Sequence, residues 1–412
     1  MTLVSLPTRA IAVAAMVVGC TPTPDIVASP SDDPADWDVD TTVEYQPVLS
    51  EPRFVVPSDG NPVLTNAANN NVAIELYDGR LFLAWRTAPT HFASADAELH
   101  VVSSADNGAT WVSEHDVALG SDVREPNLYV LAGTLWLTFF EAGTDPYAFE
   151  PLAMWRTHRA ADGSWAEPEQ WGGATEVPWD IKRRGGRGLL TLYSGNHYGS
   201  GPSEVRVHFR GSADGTDWTN VDRDRPDVYR GGASEAGFEI DDDGGLWAVL
   251  RNEDGDDTGF GSLVCHAPAD SLSAWECPGE SAPERYDSPK LLRHGDDVYL
   301  LARRDVGGPF DQGADELSIE EQRTRYAAAY WNRPKRTALY RIDKATRSVV
   351  HLVDLPSAGD TAFPSVRRTG ADTFLVANYT SPLDDPERTW LEGQGALDGT
   401  SIYLITLSFR PQ

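Results

Sequence analysis

Apolar and polar residues alternate in short runs along the chain, and the runs come in pairs joined by Gly- and Asp-rich turns. The first pair is NNNVAIELYDGRLFLAWRT (69–87). REPNLYVLAGTLWLTFFEA (124–142), PWDIKRRGGRGLLTLYSG (178–195), SEAGFEIDDDGGLWAVLRN (234–252), YDSPKLLRHGDDVYLLARR (286–304) and TAFPSVRRTGADTFLVANYTS (361–381) follow. Paired apolar runs of this length, joined by turn residues, predict β-hairpins. Setting Leu81, Leu135, Leu189, Leu246, Val298 and Phe374 as equivalent gives spacings of 54, 54, 57, 52 and 76 residues. Units of this size suit blades of four strands, so the pattern predicts an all-β, six-bladed β-propeller over 46–412. A pair of β-sandwiches would leave six matching hairpins unexplained. The long last interval holds an insertion at 305–336. There ELSIEEQRTRYAAAYW carries Ser318 and Glu321 at capping-box spacing and reads as one short helix in blade 5.

Hairpin strands run antiparallel, so the start of each inner strand and the end of the returning strand lie on one face, near the axis. The starts supply Arg124 and Glu125, Trp179 and Asp180, Ser234 and Glu235, Tyr286 and Asp287, and Asp360 close to Phe363. The ends supply Arg86, Tyr193, Arg251, Arg303 and Tyr379, with His91 and His197 at the rim. Interleaved arginines would relieve repulsion among the carboxylates and leave an anion site open. The guanidinium fork suits it to carboxylate recognition.

Two turns share a further pattern. SADNGATW (104–111) has Ser, Asp, Gly and Trp at set intervals, Ser212-Ala213-Asp214-Gly215-Thr216-Asp217-Trp218 repeats it one residue shorter, and ADGSWAE (161–167) is a worn third copy. The Asp caps backbone N–H groups, the Gly takes a conformation closed to other residues, and the Trp packs under the hairpin. This resembles the Asp-box, or BNR repeat, of the sialidase (neuraminidase) superfamily. That resemblance implies scaffold on the face away from the active site.

SEAGFEIDDDGGLWAVLRN resembles the sialidase stretch in which a Glu opens the fourth blade and an Arg closes the returning strand. On that resemblance Glu235 would activate a nucleophile, Arg251 would be one of three arginines gripping a sugar carboxylate, and Arg303 would match a second. The chain departs from the family in two places. The family's first arginine opens blade one within Arg-Ile-Pro, whereas here that strand opens Asn70-Asn71-Val72 and Arg124-Glu125-Pro126 opens blade two. The family's nucleophilic tyrosine position holds Phe363, which has no oxygen to attack with. Tyr286, Tyr379 or Tyr326 are the substitutes at hand.

A second chemistry stays open, because glycoside hydrolysis needs two carboxyl groups flanking the bond. Glu125, Asp180, Glu235, Asp287 and Asp360 are the candidates, with Arg86, Arg124, Arg251, Arg303 and Tyr286 as substrate-binding residues. Trp85, Trp179 and Trp331 could stack on a sugar ring. The function expected is a glycoside hydrolase acting on exposed glycans, possible exo-sialidase activity included. The alternative is a non-catalytic carbohydrate- or protein-binding propeller. No cofactor is called for, and the histidines show no metal-ligand spacing.

Composition changes the picture at the N-terminus and in charge. AIAVAAMVVG follows Arg9 and precedes Cys20, too short a run to span a bilayer. It reads as an export signal (1–19), and Val17-Val18-Gly19-Cys20 resembles a lipobox, with Cys20 the lipidated residue; an ordinary secretory signal is the alternative. Residues 20–45, rich in Pro, Asp, Ser and Thr, read as a disordered tether. The expectation is a monomeric lipoprotein of the bacterial cell envelope, touching the membrane through its anchor only. In an oxidising compartment Cys265 and Cys277 favour a disulfide over two free thiols. The formal net charge of −29 argues against a nucleic-acid partner.

Overall fold

The computed structural model describes residues 32–198 and 204–412. Its strands form six sheets of three to five strands, one sheet per hairpin unit, in a six-bladed β-propeller. The inner strands are Ala68–Tyr77, Asp122–Leu131, Val177–Arg184, Ala233–Ile240, Asp287–His294 and Thr361–Gly370. Each pairs antiparallel with the strand that follows it. Leu81, Leu135, Leu189, Leu246, Val298 and Phe374 all sit near the beginning of these second strands, as the spacing requires. Cys20 and the expected signal, 1–19, lie outside the described residues.

The sixth sheet joins the two ends of the chain. Ser401–Pro411 pairs on one side with Thr373–Thr380 and on the other with Tyr45–Leu49 and Arg53–Val56. Between blades, apolar residues of neighbouring sheets interdigitate. Phe140, Val177, Val207, Phe238 and Leu263 belong to one such cluster, and Leu301, Leu339, Val376 and Leu407 to another. Each fully buried side chain of this kind contributes about 1.5–3 kcal/mol.

The Ser-Asp-Gly-Trp turns all connect a third strand to the outermost one. Ser104 Oγ accepts from Gly108 N at 2.7 Å, and Asp106 accepts from Thr110 N at 2.8 Å. Gly108 has φ +82°, and a Cβ there would meet the Trp111 ring at 3.0 Å. Ser212 and Asp214 repeat the arrangement around Gly215. These turns share the basal face with the turns of the inner hairpins, opposite the inner-strand starts.

Cys265, on the third strand of the fourth blade, is bonded to Cys277. The expected helix spans Ile319–Trp331 with both halves of the Ser318–Glu321 capping box formed, and it interrupts the fifth blade after its second strand. A second, six-residue helix, Trp390–Gly395, follows the second strand of the sixth blade. It was not expected. Its Thr389–Glu392 box has the same spacing but too few helical turns behind it to show a 3.6-residue pattern. Among the described residues no helix is long and apolar enough to cross a membrane.

Candidate active site

Every inner strand carries a register shift that begins within the first three residues of its upper end. The shifts fall between Asn70 and Ala73, Arg124 and Asn127, Pro178 and Asp180, Ala233 and Ala236, Asp287 and Lys290, and Ala362 and Ser365. A bulge re-aims the extra residue and is tolerated because the inner edge of the strand has no further partner. Asn71, Glu125, Ser288 and Phe363 adopt φ near +50° at these bulges. Each such non-glycine conformation costs about 1–2 kcal/mol. Pro126, Pro289 and Pro364 follow three of them, where no ladder N–H is needed.

The bulges of the first, second, third and sixth blades line an axial pocket of about 30 Å³. Asn71, Glu125, Trp179 and Phe363 line its upper part, with Asp180, Lys290 and Arg367 deeper. The Trp179 and Phe363 rings lie 5.7 Å apart. Glu125 is the carboxyl with the least support: its Oε2 is buried without a hydrogen-bond partner. Burial first, and then the nearby charge of Glu235, push its pKa up to about 8. Asp180 in the same pocket goes the other way. Burial would raise it, but Lys182 and Lys290 together hold it below the usual range. Lys290 Nζ reaches Asp180 Oδ1 at 3.2 Å and Phe238 N donates to Oδ2 at 3.2 Å.

The other expected residues form a buried ion-pair network beside this pocket. Arg251 bonds Glu235 at 2.9 Å and Glu253 at 3.2 Å, and Ser288 N donates to the second Glu235 oxygen at 2.7 Å. Burial and then Asp287 raise the Glu235 pKa against the pull of Arg251. Arg303 bonds Asp287 at 2.8 Å and donates to the Thr361 carbonyl. The guanidinium groups of Arg285, Arg251 and Arg303 outweigh burial and hold Asp287 far below the carboxylate range. Arg86 meets Asp122 at 2.8 Å, and Arg124 bonds the other oxygen of the same carboxylate. Asp360 accepts from Tyr379, Trp390 and His91.

The structure corrects the expectation of an open arginine ring. Arg86, Arg124, Arg251 and Arg303 each already hold a carboxylate of the chain itself, because burial makes an uncompensated guanidinium costly. Part of the cluster is also roofed: Tyr330 from the long helix and Trp390 from the short one pack over Arg285 and Arg303, at 4.2 and 4.4 Å. Tyr286 is not brought to the axis. Its ring packs edge-on against Tyr340 in the apolar layer of the fifth blade. Arg285 takes the axial place instead, bonded to Asp287 and, at 2.6 Å, to Glu253. Tyr326 is fully buried among Phe260 and Phe310, and Trp85 lies in the core. Trp331 is exposed, and of the three tryptophans Trp179 alone lines the axial pocket.

Sequence reasoning missed Asp122, Glu253, Arg285 and Lys290. For the first three a signal existed. Asp122 and Arg124, Arg251 and Glu253, and Arg285 and Asp287 are opposite charges two residues apart, which a strand projects to the same side.

The architecture has relatives among solved structures. No protein-family model matches the sequence, and neither does any curated protein. The fold is that of a sialidase-like β-propeller. A Dyadobacter fermentans protein of unknown function is similar over 88% of this chain and 99% of its own, with TM-score 0.57 and 16% identity. Trypanosoma rangeli sialidase matches over 83% of this chain at TM-score 0.52 and 14% identity, and the match spans 55% of the sialidase. Phage phi92 endosialidase matches over 89% of this chain and 70% of its own at TM-score 0.55 and 11% identity. At these identities the likeness is one of fold.

Proposed function

We propose that the chain is a glycoside hydrolase acting on exposed glycans, with Glu125 as general acid and Asp180 as its ionised partner. The observation that carries this reading is that one pocket holds a carboxyl kept protonated at neutral pH and another kept ionised. Environments that push two carboxyl groups apart in this way assign acid and base. Glu125 would give its proton to the leaving glycosidic oxygen as the C–O bond breaks. Asp180 would attack the anomeric carbon or take a proton from the water that does. Glu235 would act by holding Glu125 protonated, and Trp179 would offer a ring face to the sugar. The turns at 104–111 and 212–218 fit the Asp-box, and an anchor at Cys20 would join the propeller from its basal side, where Asp32 docks.

A panel of chromogenic glycosides, a sialoside included, tests this with the full chain. Turnover of at least one glycoside that falls about 10²- to 10⁴-fold in Glu125→Gln is the expected outcome. Equal turnover by the two proteins removes Glu125 from the mechanism. A second reading, a non-catalytic glycan-binding propeller, is favoured by Phe363 at the family's nucleophile position and by the prior engagement of every expected arginine. It predicts glycan retention without turnover, lost in Trp179→Ala and kept in Glu125→Gln.

A further inference from the structure

The opposite end of the axis is rich in cations. Lys182, Arg184, Arg293, Arg367 and Arg368 gather around the basal mouth, against the carboxylates of Glu75 and Glu239. Arg184 is held by Glu239 at 2.6 Å and Arg367 by Glu75 at 3.0 Å. Lys182 pairs with Asp180 at 3.5 Å and donates to the Leu291 carbonyl, while the Arg368 guanidinium donates, among the described residues, only to the carbonyls of Ala371 and Arg293. Cations therefore remain in excess.

The chain's own N-terminal segment enters this mouth. Asp32 accepts from the Arg368 amide at 3.3 Å through Oδ1, and its Oδ2 lies 3.7 Å from Arg184. Its carbonyl accepts from Arg184 at 3.0 Å. Asp33 accepts from the Gly185 amide at 2.7 Å, Pro34 is buried, and the Trp37 ring stands 5.9 Å from the Arg368 guanidinium. An inner strand has no neighbour across the axis, so its unpaired N–H groups, that of Arg368 among them, point where an anion can accept from them.

We infer that the basal mouth is an anion-binding site, for a carboxylate or a tetrahedral oxyanion, that the chain fills with its own Asp32. Burial would raise the Asp32 pKa, but Arg367, Arg184 and Lys182 together pull it below its ordinary value, so the group docks as a carboxylate. This inference does not depend on the chemistry proposed for Glu125.

Thermal melting of the full chain with inorganic phosphate tests it, chloride holding the ionic strength constant. In Asp32→Asn the melting temperature is expected to rise saturably with phosphate by a few degrees, while the wild type does not respond. The double variant Asp32→Asn/Arg368→Gln is expected to lose the response. Identical phosphate responses of wild type and Asp32→Asn, or a response kept by the double variant, overturn the site. Hydrogen exchange in the wild type gives a reading that needs no variant. Gly185 lies in a surface turn, so its amide exchanges slowly if Asp33 accepts from it, and exchange as fast as that of Gly186 overturns the docking.

Discussion

Tyr330 donates its hydroxyl to Asp287 at 2.8 Å, on the same carboxylate oxygen that Arg303 holds. The long helix is thereby fastened to the axial network through the Tyr330 phenol, with the Arg285 guanidinium 4.2 Å from the ring centre. Hydrogen bonds to a charged acceptor contribute about 1.5–3 kcal/mol. Tyr330→Phe should lower the unfolding free energy by about that amount in a denaturant titration. Hydrogen exchange should also quicken across 319–331 and not in the second blade. An unchanged denaturation midpoint would show that aromatic packing alone holds the helix.

Glu125 gives the molecule a predictable response to alkali. Its folded-state pKa, about 8, lies above the ordinary 4.5. Between those values the native chain binds a proton that the unfolded chain has released. The stability this group contributes is thus complete below the lower value and is lost as pH rises through the upper one. Between about pH 6 and pH 9 the wild-type melting temperature should fall more than that of Glu125→Gln. Any glycosidase activity should decline along an alkaline limb near pH 8, set by loss of the acid form. Parallel melting curves for the two proteins would refute the assignment.

The Cys265–Cys277 bond closes a short loop, with a separation of 12 in sequence. Cross-links over loops of this size stabilise by about 2–4 kcal/mol, chiefly by restricting the unfolded chain. The Cys265→Ser/Cys277→Ser variant should lose about that much in chemical denaturation without altering ligand retention or turnover, since the bond lies on the third strand of its blade. Reducing the wild type should reproduce the loss.

Gly108 sits on the face remote from the pocket. Its φ of +82° disfavours any side chain, and a Cβ there would press on Trp111 at 3.0 Å and Arg53 at 3.1 Å. Gly108→Ala should cost at least about 1 kcal/mol in stability while activity per folded molecule stays constant. A specific loss of activity would mean that the turn communicates with the axis.

The six hairpins were legible because paired apolar runs closed by Gly- and Asp-rich turns recur once per blade, and strands such as Ala68–Tyr77 and Leu246–Asp256 are buried along nearly their whole length. Leu81, Leu135, Leu189, Leu246, Val298 and Phe374 mark that rhythm without help from tertiary structure. The pocket was legible in part. Glu125, Asp180, Trp179 and Phe363 do converge on it, since strand starts must meet at the axis. The misplacement of Tyr286 has a local cause. With Asp287 turned inward, alternation sends Tyr286 outward and Arg285 inward. Neither the roof of Tyr330 and Trp390 nor the insertion of Asp32 has any sequence periodicity, because each is a contact between segments far apart in the chain.

The pairing of Tyr45–Leu49 with Ser401–Pro411 fixes when this molecule can exist. The sixth sheet takes Tyr45–Leu49 and Arg53–Val56 from early in the chain and Ser401–Pro411 from late in it, so a nascent chain without that late strand leaves this blade unfinished. Removal of the last dozen or so residues would take from Thr373–Thr380 and from Tyr45–Leu49 the one strand that both pair with. The axial pocket, to which every blade but the fourth lends a wall, would lose its definition with them.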